Sequence, residues 1–353
     1  MSTIESAKPQ GNVVTPPEDW LALQAAEPIL EPELPIIDAH HHLWHRQTHR
    51  YLLDELLADT GGIGADGKSH RVIATVFVDC MAFYRADGPK AMKPIGETEF
   101  ANGVAAMSAS GFYGETRACA AIVSHVDLTL GAAAREVLQA HVQAGNGRFR
   151  GIRHAGGWDP SDAIANSHTN PPPGLYAHSK FREGLAQLAP LELSFEAWQF
   201  HPQLPDVIDL ARASEQTSII LNHCGGPLGI GPYAGKTDAT FAQWKRDMLE
   251  LARFPNVTVK LGGLGMRTGV IAHHKLAKPP NSTEIANAWQ PWIDTSIEAF
   301  GADRCLFESN FPVDKVSTGY TVLWNAFKRM TSGASANEKA ALFNGTAKRV
   351  YRI

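Results

Sequence analysis

Cysteine is scarce and scattered: Cys80, Cys119, Cys224 and Cys305 are the only four in 353 residues, and no two form a C-x-x-C pair. That spacing argues against a disulfide framework and reads as the reduced thiols of a cytoplasmic protein. Long apolar runs are missing as well. None approaches the ~18 residues a membrane span needs, and "MSTIESAKPQGNVVTPPEDW" lacks the charged start and apolar stretch of a signal peptide. Charge of one sign is also lacking. The net charge is −4 with no like-charge run, so nothing resembles the basic stripe that neutralises phosphates, and neither nucleic acid nor membrane is expected as a partner. No P-loop and no G-x-S-x-G elbow occur. "GIGADG" (62–67) matches G-x-G-x-x-G letter for letter, but it follows the helical-reading "LLDELLADTG" and precedes a polar loop. Without a strand–turn–helix setting it is no dinucleotide fingerprint, and no nucleotide cofactor is expected.

What is present is material for one large core: 44% apolar and 19% charged residues, with no break in composition. Residues 1–34, proline-rich and acidic, read as an N-terminal extension or arm, and 35–353 as one domain. Eight β-rich runs follow, at 36–40, 72–80, 117–126, 149–154, 191–200, 217–226, 256–264 and 304–312. Helical patterns at 96–110, 131–144, 178–189, 204–215, 240–253 and 287–300 alternate with them, and a last one covers 336–350. Continuously apolar strands fit a parallel sheet covered on both faces. Eight β/α units predict a single (β/α)8 TIM barrel, with an open doubly wound sheet as the structural alternative.

Polar residues gather at the C-terminal ends of these runs: His40 and His42, Asp79, His125, Arg153 and His154, His201, His223, then Glu308 and Asn310. In a barrel those ends converge on one mouth. Long loops rich in glycine and proline, such as "GGWDPSDAIANSHTNPPPGLY" and "GGPLGIGPYAGKTD", would cover it.

"IIDAHHHLWH" (36–45) is the densest of these motifs. Alternate strand residues point the same way, so His40 and His42 are expected to face the axis while His41 turns away; His41 and His45 read as outward or loop residues. Two such imidazoles are ready ligands for a first-row metal. "LNHCGGP" (221–227) offers His223 as a third imidazole, or as a hydrogen-bonded core histidine. "LFESNFPVD" (306–314) places Glu308, Asn310 and Asp314 together. Glu308 could orient or deprotonate water, and Asp314 reads as a pairing or capping residue. "GIRH" (151–154) offers Arg153 as a bidentate carboxylate anchor or a buried ion-pair partner. Lys260 reads equally as a salt-bridge residue. Trp44 and Trp198 read as wall or core aromatics, with Trp44 counted beside Arg153 as lining the substrate.

Taken in order, "IIDAHHHLW", "GIRH", "HPQLPDVIDLA", "LNHCGGP", "VKLGGLGM", "RCLFESNFPVD" and "NGTAKRVYRI" resemble the amidohydrolase superfamily over about 35–353. The resemblance is to its amidohydrolase-2 branch of metal-dependent hydrolases, which includes sugar lactonases and 2-pyrone-4,6-dicarboxylate lactonase. It implies a (β/α)8 fold and hydrolysis at a polarised carbonyl, with His40, His42 and His223 as the metal or electrophile tripod and Arg153 as a carboxylate or hydroxyl anchor. The chain departs from the family's Ser-Asp-Trp-Pro at strand eight, where it has Ser309-Asn310-Phe311-Pro312. An amide takes no proton and is a weaker ligand than a carboxylate. A divalent metal, zinc before others, therefore stays open, beside metal-free polarisation by histidines and arginine.

The expected function is a lactonase opening a small polar or carboxylated cyclic ester, with Glu308 or His154 as the replacement base. The alternatives are a decarboxylase or hydratase acting on an aromatic or muconate-like acid, and a barrel that binds a small ligand without catalysis. A small-molecule substrate is the expected partner, and a homo-oligomer is left open.

Overall fold

The structure is a computed structural model that describes residues 14–46, 49–61 and 69–353; "GIGADG" lies outside them. Eight parallel strands form the inner wall: β1 (Ile36–His41), β2 (Val72–Val78), β3 (Arg117–Ser124), β4 (Phe149–Arg153), β5 (Ser194–Ala197), β6 (Ile219–Leu221), β7 (Val257–Leu261) and β8 (Cys305–Phe307). They pair strictly in chain order. The seam closes just beyond β8: His41 bridges Phe311, Asn310 N–H donates to His40 O (2.9 Å), and His42 N–H donates to Phe311 O (2.8 Å). Consecutive order and closure make this a (β/α)8 barrel and exclude the open sheet.

A helix follows each strand: α1 (Leu53–Thr60), α2 (Ile95–Ala109), α3 (Ala134–Ala144), α4 (Ser179–Leu185), α5 (Leu204–Ala213), α6 (Thr237–Leu251), α7 (Ser282–Phe300) and α8 (Tyr320–Met330). The start of α7 is set by a capping box, in which Asn281 Oδ1 accepts from Glu284 N–H and Glu284 accepts from Asn281 N–H (2.9 and 2.7 Å). α8 has no counterpart among the expected helices, although it completes the eighth unit. None of the helices among the described residues is long and apolar enough to cross a membrane.

Side chains sort by strand parity. Ile37, Ala39, Ala74, Val76, Val78, Ala121, Val123, Ile220 and Leu306 fill the barrel interior. Phe77, Ile122, Phe195, Val259 and Phe307 pack outward in the core shared with the helices. The interior is plugged from below by Tyr351, on the terminal helix Thr346–Tyr351. Small and branched residues suit the tapered interior of such a barrel. The four cysteines are free and buried.

Part of the N-terminal segment runs over the outside of the α7–α8 layer. Trp20 Nε1 donates to Leu276 O (2.9 Å), Ser282 N–H donates to Glu27 (2.7 Å), and Lys328 Nζ donates to Leu30 O (2.7 Å).

Candidate active site

β1 carries the first two histidines into the mouth by means of an irregularity. Asp38 pairs with Thr75 and His41 with Phe77, so three residues on β1 span two on β2. One extra residue in a strand re-aims everything after it. Ile37 and Ala39 face inward, and after the bulge His40 and His42 face inward too. Unbroken alternation would have turned Asp38 inward with His40. Instead Asp38 lies on the outer face, accepting from Ser309 N–H (2.8 Å) and Tyr320 O–H (3.0 Å). His41 is also outward, fully buried against Phe77, with Nε2 2.8 Å from Thr75 Oγ1.

His223 leaves β6 in the left-handed region, with φ 54°. This turn swings its ring over the barrel, where it tilts against His40 at 4.6 Å between ring centroids. Such backbone is uncommon outside glycine and persists where the surroundings hold it. The neighbouring β7 makes room through two glycines. A Cβ on Gly263 would stand 2.5 Å from the His223 ring, and one on Gly262 2.4–2.5 Å from Glu308. Glu308 Oε1 accepts from His223 Nδ1 (2.6 Å), and Oε2 approaches His40 Nδ1 (2.9 Å). The second contact is close but poorly directed, since Oε2 has no aligned donor.

Each imidazole is oriented through Nδ1. His42 Nδ1 donates to Val78 O (2.8 Å) and His223 Nδ1 donates to Glu308, which leaves both Nε2 atoms as lone pairs. His40 Nδ1 faces a donor, Lys260 Nζ (3.2 Å), and an acceptor, Glu308, so either neutral tautomer finds a partner. His40 Nε2 lies 3.2 Å from His42 Nε2. Two nitrogens each ~2.05 Å from a tetrahedral zinc would lie about 3.3 Å apart. All three histidines are held well below the ordinary imidazole range, by burial first and then by the nearby charges of Lys260 and Arg153. They are neutral at physiological pH, as ligation requires. The His40–His42 pair therefore has the spacing of two ligands to a first-row divalent cation. Among the described residues, the trio that brings one ligand atom each within 4.8 Å of one another is His40, His223 and Glu308, and His42 meets it through His40.

Beneath the histidines lies a buried polar layer. Glu196, on β5, accepts from Lys260 Nζ (2.7 Å), Asn222 Nδ2 (2.6 Å) and Tyr351 O–H (2.5 Å). Glu308 belongs to this layer and is fully buried, with its carboxyl pushed up to about 8 by burial against the pull of Lys260. Arg153 donates through Nε to Asp79 Oδ1 (2.6 Å), through Nη2 to Asp79 O, and through Nη1 to His40 Nε2 (3.3 Å). Its fork is largely committed within the protein.

Above this layer opens a pocket of about 580 Å3, counting its mouth, lined among others by His42, Trp44, Arg153, His223 and Asn310. Trp44 stacks on His42 at 5.8 Å, and Trp198 meets His223 edge-on at 4.7 Å. Asn310 turns its amide nitrogen to Asp314 Oδ1 (2.8 Å), and Asp314 also accepts from Gly265 N–H (3.0 Å). His154 is not brought to this pocket. It packs against His125 and Phe181, with its Nδ1 accepting from Leu128 N–H (3.2 Å). His125 and His201 are likewise absent from the lining.

Two titratable lining residues escaped sequence reasoning. Arg46 stands at the rim, exposed, its guanidinium 4.9 Å over the Trp44 ring and Nη2 donating to Cys80 O (2.9 Å). His168, from the loop after β4, places Nε2 2.8 Å from Asp79 Oδ2. The only available signal was their position, in the motif-bearing "HHHLWHR" and in a long loop beyond a strand end.

The barrel, the imidazole cluster and the pocket at the C-terminal strand ends define an enzyme-type site where this fold carries its chemistry. The chain belongs to the amidohydrolase family, whose model, described as Amidohydrolase, matches residues 37–353. It is 31% identical over 337 residues to the Uncharacterized protein y4mH of Sinorhizobium fredii, covering 91% of this chain and 99% of that one. An L-fucono-1,5-lactonase of Burkholderia multivorans is 28% identical over 174 residues, or 49% of this chain and 56% of the lactonase. That likeness spans about half of each protein. Among solved structures, an amidohydrolase from Burkholderia multivorans with bound HEPES matches at TM-score 0.66 and 23% identity, covering 90% of this chain and 99% of that one. A second crystal form, with bound zinc, matches at TM-score 0.63 with the same identity and coverage. At that identity the two structures speak for the fold.

Proposed function

We propose that this amidohydrolase is a lactonase that opens a small polar or carboxylated cyclic ester. The observation that carries the reading is the convergence of three neutral, Nδ1-anchored imidazoles below a compact pocket with a cationic rim. The half-length likeness to a fucono-lactonase points the same way. A divalent cation, zinc first, would be held by Nε2 of His40, His42 and His223. When bound, it would supply Lewis-acid polarisation of the substrate carbonyl.

The chain's own residues supply binding and orientation. Trp44 and Trp198 present flat apolar walls to a ring, and Asn310 offers an amide to a substrate hydroxyl. Arg46 gives the accessible positive charge for a carboxylate, while Arg153, held by Asp79, contributes its field and whatever fork geometry Asp79 leaves free. Oriented donors and charges aimed at the carbonyl oxygen are a large share of acyl-transfer catalysis. Apolar walls with a few placed polar groups suit a small-molecule partner.

The test is a panel of 1,4- and 1,5-lactones, with and without a carboxylate, followed by acid release with and without chelator and paired with metal analysis. Ring opening with about one zinc per chain is expected. Carbon dioxide release from aromatic acids without lactone opening would replace the reading with a decarboxylase. No turnover of either kind would leave a ligand-binding barrel.

A further inference from the structure

Opening a lactone with water requires a group that takes a proton from the water and later returns one to the leaving oxygen. The pocket floor offers none: the three imidazoles are oriented as ligands or electrophiles, Asn310 is an amide, and Glu308 is buried beneath His223. One titratable ring on the pocket wall is committed at only one nitrogen. His168 lines the pocket with its side chain 20% exposed, and its Nε2 is 2.8 Å from Asp79 Oδ2. Asp79 is itself fully buried and fixed by Arg153 Nε at 2.6 Å through its other oxygen. His168 Nδ1 has no hydrogen-bond partner among the described residues.

We propose that His168, oriented by Asp79, is the general base and then the general acid of the reaction. This rests on the lactonase reading. With Nε2–H donated to the carboxylate, the lone pair is on Nδ1. Water gives its proton to Nδ1 while its oxygen bonds to the carbonyl carbon, and the carbonyl π pair moves onto oxygen. Collapse of the tetrahedral intermediate breaks the ring C–O bond. His168 Nδ1–H protonates the departing alkoxide, leaving a hydroxy acid that ionises to solvent. The carboxylate is kept ionised: burial alone would raise Asp79, but the Arg153 charge and the hydrogen bond from His168 hold it well below the carboxylate range. The groups that face the dyad are His42 after β1, Cys80 and Tyr84 after β2, Glu97 on α2, His125 after β3, and Arg153 and His154 at the end of β4. His125 and His154 are held low by burial, so neither competes for the proton.

The experiment compares wild type, His168→Gln and His168→Ala as full-length protein on the best lactone of the panel. For His168→Gln a kcat loss of about 10²–10⁴-fold is expected, with KM changed by less than about threefold and the acid limb of the kcat profile flattened. Added imidazole should restore His168→Ala several-fold. Equal thermal midpoints and metal content separate chemistry from folding, and the partly exposed loop position favours folded variants. Three results overturn the assignment: kcat within about threefold of wild type, an unchanged acid limb, or an effect confined to KM. If the wild type opens no lactone, the lactonase reading fails and this proposal falls with it.

Discussion

Glu308 holds His223 from below, its Oε1 accepting both the Nδ1 proton (2.6 Å) and the backbone N–H (3.1 Å) of that histidine. A carboxyl group behind a ring nitrogen sets the tautomer and aim of the opposite nitrogen. Glu308→Gln exchanges one of the two acceptor oxygens for a donor. Activity or zinc affinity should fall by about 10–100-fold, measured as kcat/KM and by metal titration, with the pH profile keeping its shape. A loss near 10⁴-fold with disappearance of the acid limb would instead make Glu308 the base.

Arg46 is the rim cation over Trp44, and its exposure leaves donors for a ligand. Charge-assisted hydrogen bonds are worth roughly 1.5–3 kcal/mol. Arg46→Met should therefore raise KM for carboxylated lactones by about 10–100-fold and leave neutral lactones nearly unchanged. Equal losses on both classes would remove Arg46 as the carboxylate anchor.

His141 is buried on α3, stacked on Phe149 with Nδ1 2.7 Å from Thr98 Oγ1. Burial, with a smaller push from His125, lowers it from 6.5 to about 3. Between those values the unfolded chain takes up a proton that the folded chain refuses. Its contribution to stability is whole above pH 6.5 and is lost as pH falls towards 3, at up to ~1.4 kcal/mol per pH unit. In His141→Phe, which keeps a ring against Phe149, urea unfolding at pH 4 to 6.5 should show a shallower pH slope. An identical slope would mean that other groups carry the acid sensitivity.

Tyr351 reaches the floor of the site from the far end of the chain, donating to Glu196 Oε1 at 2.5 Å. Tyr351→Phe keeps the packing and removes that donor from a buried carboxylate. Denaturant unfolding should show a loss of about 1–3 kcal/mol. Unchanged stability would mean that Lys260 and Asn222 satisfy Glu196 by themselves.

The fold was legible because parity and period are local. Each of the eight expected strands overlaps an observed one; seven observed strands are shorter, and β1 runs one residue further, to His41. The 217–226 run ends as a strand at Leu221 because His223 and Cys224 take φ values of 54° and 49°. α8 went unread in "GYTVLWNAFKRM", which was given no element and whose Phe327 packs on Phe307 of β8. No residue within the strand-five run was singled out, yet Glu196, between Phe195 and Ala197 in sequence, points inward and pairs with Lys260. A lone acid within an apolar strand was the available signal.

By itself the sequence determined that eight β/α units form one barrel, that His40, His42 and His223 come from strand ends on one side, and that the chain carries an amidohydrolase pattern. These follow from hydrophobic period and residue order, which every segment carries on its own. Only the tertiary structure decided which polar strand-end residues meet. It brought His168 and Arg46 into the pocket wall, kept His154 out, and turned Glu308 into the support of His223. Those outcomes depend on a one-residue bulge in β1, a left-handed turn after β6 and loop placement across the mouth. Their physical cause is the packing of distant segments against one another.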